Sequence, residues 1–100
     1  MFDESDNSMF EAGLKHSRPP ATWPEGLKAM WFDAKGDWEG AHNIAQELHT
    51  LEGSWIHAYL HRKEGDAFNA GYWYQRAKRK FPSHGLEAER KEIINSYFSK

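Results

Sequence analysis

An all-α fold is predicted, and three observations predict it. Two Gly-Asp pairs, Gly36-Asp37 and Gly65-Asp66, interrupt apolar residues that recur at three- and four-residue spacing. The chain has no valine and only four isoleucines, while Ala, Leu, Glu, Lys and Gln are plentiful, so no stretch reads as an alternating strand. Residues 25–48 also slide without a gap onto residues 54–77, matching Ala29 with Ala58, Gly36 with Gly65, Asp37 with Asp66, Ala41 with Ala70 and Gln46 with Gln75. These identities fall at the turn and at small-residue positions where two helices approach closely. The expected architecture is therefore a short array of antiparallel helical hairpins, about two repeats, with a capping helix at each end.

The elements follow in order. Residues 1–8, MFDESDNS, are acidic and polar and are expected to form a flexible N-terminus, leaving residues 9–98 as a single domain. Met9, Phe10, Gly13 and Leu14 predict a first helix over residues 7–16, stopped by Ser17-Arg18-Pro19-Pro20. Thr22-Trp23-Pro24-Glu25 has the form of a capping box opening a helix over residues 23–35. At each Gly-Asp pair, Gly leaves one helix with positive φ and Asp caps the next. Ala70, Trp73, Tyr74, Ala77 and Phe81 mark the buried stripe of the helix after the second corner. After Phe81-Pro82, Ser83 is placed to cap a last helix, residues 84–98, whose apolar face is Leu86, Ile93, Ile94, Tyr97 and Phe98, with Glu87 set to pair with Lys91.

Composition bounds the function. One hundred residues, 39% of them hydrophobic, suffice for one core. A net charge of −2 gives no global attraction to nucleic acid or anionic membranes. The cationic run at residues 76–80, RAKRK, is better read as charges meeting a helix C-terminus than as a nucleic-acid contact. With no cysteine there is no disulfide or thiolate site, and no long apolar stretch suggests a signal peptide or membrane span, so a cytoplasmic location is expected.

Residues 54–82 resemble a tetratricopeptide repeat. Ala58 stands at the small position of its first helix, Ala70, Tyr74 and Ala77 at the small, aromatic and small positions of its second, and Pro82 closes the unit. Residues 25–48 resemble the same pattern, with Ala45 and Leu48 in place of the second aromatic and the second Ala. The block HAYLHRKEGD is also similar to one found in a group of uncharacterised bacterial proteins, which implies no activity. The tetratricopeptide resemblance implies a groove lined by Trp55, Tyr59, Arg62 and Lys63 in one unit and by Gly26, Met30, Asp33 and Ala34 in the other. Two aromatics beside two cations suit a peptide bearing a carboxylate, so a protein or peptide partner is the first functional expectation. Tyr72 and Arg76, on a flank of the following helix, join the binding candidates. The competing expectation is that a terminal helix buries Trp55 and Tyr59.

The second expectation concerns HAYLHRKEGDAFNAGYWYQRA, residues 57–77. His57 and His61, four apart on a helix, point the same way, with Glu64 one turn further, a spacing that lets two imidazoles share a metal ion. His42 and Glu64 or Asp66 are the available further ligands. The zincin glutamate is absent because Ala58 follows His57. Packing is the plainer expectation for these histidines, each donating one hydrogen bond in a polar notch, and no cofactor is called for. Tyr72, Trp73 and Tyr74 face three directions and make no stacking platform. Asp33, Asp37 and Glu39 read as caps and surface charges, leaving little support for catalysis. Fifteen aromatic residues in so short a chain also make a homodimer an expected way to cover apolar surface.

Overall fold

In the computed structural model, which describes residues 4–98, six helices follow one another: α1 (Glu4–Gly13), α2 (Glu25–Ala34), α3 (Trp38–Glu47), α4 (Leu51–Lys63), α5 (Ala67–Arg76) and α6 (Leu86–Phe98). No strand occurs among the described residues. Of the expected flexible stretch, residues 1–3 lie outside the described residues, and α1 already begins at Glu4.

Both Gly-Asp corners are built as expected. Gly36 and Gly65 have φ of +88° and +89°, which costs a residue without Cβ nothing. At the first corner Gly36 N–H bonds to Asp33 O and Asp37 N–H reaches back to Phe32 O; at the second, Gly65 N–H bonds to Arg62 O and Asp66 N–H to His61 O. The Asp37 and Asp66 carboxylates then accept from Gly40 N–H and Asn69 N–H, capping α3 and α5. A third corner of the same kind closes α5, with Lys78 N–H on Gln75 O and Arg79 N–H on Tyr74 O. Here Lys78 takes the left-handed slot, at φ +61°.

Two expected caps and one ion pair are corrected. Thr22 does not cap α2: Pro24 occupies the cap position, no side chain caps it, and Glu25 pairs with Lys28 at 3.1 Å. The residue before a proline is driven out of helical conformation, so Trp23 stays outside. Ser83 does not cap α6, because Gly85 O accepts the first helical bond, from Glu89 N–H. Glu87 pairs with Arg90 at 2.8 Å rather than with Lys91, the closer i+3 neighbour being the stronger partner.

The small residues repeated between the two halves, Ala29, Ala58, Ala41 and Ala70, are all fully buried where α2 meets α3 and α4 meets α5. Helix α4 is central, touching α2, α3, α5 and α6, so six consecutive residues, Trp55 to Leu60, are buried. Helices α1 and α6 pack on each other, and α6 covers the side of α4 that faces away from α3. Phe81, expected in the core, lies half exposed over Tyr74 at 5.0 Å.

Two carboxylates were not expected inside. Glu89 is 0% exposed and accepts from Trp55 Nε1 at 3.1 Å, Tyr74 Oη at 2.5 Å and Arg62 Nη1 at 2.7 Å. Asp33, read from the sequence as a surface charge, is buried and accepts from Lys63 Nζ at 2.8 Å and Tyr59 Oη at 3.3 Å. Burial and the facing carboxylates push both phenols well above their ordinary range, so they remain donors.

Two outcomes are expected. Glu89→Ala removes one partner of a buried ion pair and lowers stability by about 3–5 kcal/mol in urea unfolding, whereas a change below 1 kcal/mol would show the carboxylate to be incidental. Lys78→Gly relieves the left-handed slot and raises the thermal midpoint by a few degrees, corresponding to about 1 kcal/mol, while Gly36→Ala lowers it by a similar amount.

Candidate metal centre on the α3–α4–α5 seam

His57 is placed by the centrality of α4. It lies in the buried run between Ile56 and Ala58 and is 5% exposed, while His61, one turn on, is half buried. Helix α3 runs alongside and supplies His42, the third imidazole that the sequence had offered as one of several candidates. His42, His57 and His61 each bring a potential ligand atom to within 4.8 Å of the others. Ring centroids lie 4.6 Å apart for His42 and His57, 4.9 Å for His57 and His61, and 5.3 Å for His42 and His61.

Two indoles wall the cluster. Trp38 stacks on His42 at 4.8 Å, held by a 2.8 Å bond from its Nε1 to Leu60 O. Trp73 stacks on His57 at 3.9 Å, so the expected core residue of α5 is half buried against an imidazole. A cavity of about 410 Å³, bordered by Ala45, Ser54, Trp73 and Arg76, opens on the other side of this wall. Arg76 spans Trp73 at 5.3 Å and Tyr72 at 5.8 Å, both Tyr72 and Arg76 being exposed as expected of a flank.

Polar satisfaction differs among the three rings. His61 Nδ1 lies 2.7 Å from Glu64 Oε1, one turn along α4. His57 Nδ1 is buried and has no hydrogen-bond partner, contrary to the expectation that packing alone gives each imidazole one. Burial, then the neighbouring His42 and His61, push the His57 imidazole down to about 4. Burial also lowers His42, with His61 adding to it. Both rings are neutral near pH 7 and keep a free lone pair.

The predicted peptide-binding face lies elsewhere. Trp55 and Tyr59 are buried, Arg62 and Lys63 bond to Glu89 and Asp33, and Arg79 lies over the Trp55 ring at 3.5 Å. Carboxylates of the same chain stand where one from a partner was expected, Glu89 of α6 at Arg62 and Asp33 of α2 at Lys63. Comparison with protein-family models, curated proteins and solved structures gives no match for the chain.

A buried neutral histidine makes stability depend on pH in a definite sense. Its folded value is depressed below the unfolded value near 6.5, so the unfolded chain binds more protons between about pH 4 and 6.5. Stability present above that window is lost on acidification, by on the order of 3 kcal/mol for His57. Urea unfolding of metal-free protein is expected to show this loss, and His57→Asn to reduce it; parallel curves for the two proteins would contradict the assignment.

Proposed function

We propose that the protein binds one transition-metal ion of the zinc class through His42, His57 and His61. The observation that carries the reading is the convergence of three imidazoles on a buried ring with one orphaned nitrogen. An unsatisfied buried polar atom costs about 1–3 kcal/mol, a cost that packing alone leaves standing at His57 Nδ1. Tetrahedral ligation at Zn–N of 2.0–2.1 Å spaces nitrogens by about 3.4 Å. Against the 4.8 Å limit observed here, the rings have at most about 1.4 Å to close, within reach of side-chain rotation at the half-buried His42 and His61. Imidazole donors favour zinc, copper, nickel and cobalt over magnesium or calcium. The scaffold in this reading is two tetratricopeptide-like hairpins, α2 with α3 and α4 with α5, and the ion ties one to the other.

A second reading, a protein or peptide partner on the Trp55, Tyr59, Arg62, Lys63 face, is favoured by one observation. A cleft of about 380 Å³ runs beside α6, where Asp33, Tyr59 and Lys63 face Leu86 and Arg90. A partner there has to supply a carboxylate to Lys63 in competition with Asp33. Phe68, 87% exposed, and Tyr72 one turn on are apolar surface suited to a second copy of the chain.

Purified protein is expected to hold one equivalent of zinc by elemental analysis. Zinc added to metal-free protein at a hundredfold excess over its dissociation constant stabilises by about 2.7 kcal/mol, a rise of about 13 °C in melting temperature. His57→Ala removes both effects. Wild-type protein that takes up no stoichiometric metal and melts at an unchanged temperature overturns the proposal.

A further inference from the structure

We infer that the centre formed by His42, His57 and His61 leaves one coordination position to an exogenous small anion, which makes it a reactive rather than a structural site; this inference rests on the metal reading above. Structural zinc sites close with four protein ligands, whereas sites with three keep a position for a molecule from solvent. The ligand set here stops at three among the described residues.

Glu64 is the nearest candidate for a fourth ligand, and its position argues against that role. Its Oε1 sits on His61 Nδ1, 2.7 Å away. In the tautomer with the proton on Nδ1 the ring donates to Glu64, which orients it and leaves the lone pair on Nε2. This is the outer partner that metal-bound histidines commonly have. Glu64 has to abandon His61 before it can act as a ligand itself.

Asp66 completes a second grouping with His61 and Glu64, but both of its oxygens are engaged. One accepts Asn69 N–H at 3.1 Å and the other Asn69 Nδ2 at 2.6 Å, so recruiting Asp66 uncaps α5. The indoles contribute no ligand: Trp38 spends its N–H on Leu60 O, and Trp73 presents a ring face to His57. Two sides of the site are thereby closed by apolar rings. The remaining approach runs past His42 and His61, both of which reach the surface.

Charge selects the kind of molecule that fills the position. Imidazole donors bring no negative charge to a divalent ion, and Glu64 offsets only part of its double charge from the outer shell. A compact anion is the complementary ligand, of the size of azide or a small carboxylate.

The test uses cobalt(II), whose visible bands report coordination in place of zinc. Metal-free full-length protein receives one equivalent of cobalt, and azide is then titrated in. The expected result is a cobalt spectrum that changes saturably with azide. Glu64→Gln is expected to keep that azide response and the azide-free spectrum while binding cobalt roughly tenfold more weakly, as loss of an outer-shell partner does. A cobalt spectrum indifferent to azide overturns the open position, as does a Glu64→Gln spectrum that shows loss of a ligand before azide is added. Failure of wild-type protein to bind cobalt at all removes the metal reading itself, an outcome distinct from either of those.

Discussion

A fully buried carboxylate organises this fold. Glu89 enters the core from α6 and is met by an indole N–H, a phenol and a guanidinium carried on α4 and α5. Taking an ionised carboxylate out of water costs several kcal/mol, and only complete hydrogen bonding offsets it. That requirement fixes the rotation of α4 about its axis. With 100° per residue, Trp55, Tyr59, Arg62 and Lys63 share one side of the helix, while His57, His61 and Glu64 fall on the opposite side. Turning the first set toward α6 and α2 turns the second toward α3 and α5. The imidazole cluster is thus a consequence of where the acid is received.

The two sides of α4 also divide polar chemistry between them. On the α6 side, charges are paired, and the donors are spent within the chain. On the α3–α5 side burial keeps His42 and His57 neutral, the walls are aromatic, and one nitrogen lacks a partner. A groove that satisfies itself and a seam that does not are different kinds of surface. The unsatisfied seam is where an external ligand gains most.

Local features were legible in the sequence, and long-range ones were not. The Gly-Asp corners needed only adjacent residues, and the repeated alanines only a fixed spacing. The corner at Lys78 escaped notice because a lysine does not advertise positive φ, although it closes its helix with the same pair of bonds as the two glycines. The box at Thr22 misled because Pro24 restricts the residue before it more strongly than a threonine can reward it. Asp33 looked like a surface charge and Glu89 carried no signal of its own, since Arg62 lies 27 residues from Glu89 and Lys63 lies 30 from Asp33, and only the folded chain brings them together. The His57 and His61 spacing was visible at once. The choice of His42 over Glu64 and Asp66, and the indole walls from Trp38 and Trp73, required the packing of α3 and α5 on α4.

The central claim is that three imidazoles on this seam share one ion. X-ray absorption at the zinc edge of the loaded protein tests it most directly. The account predicts a first shell at about 2.0–2.1 Å and the outer-shell scattering of three imidazole rings. A shell of oxygen donors alone, with no imidazole scattering behind it, would contradict it.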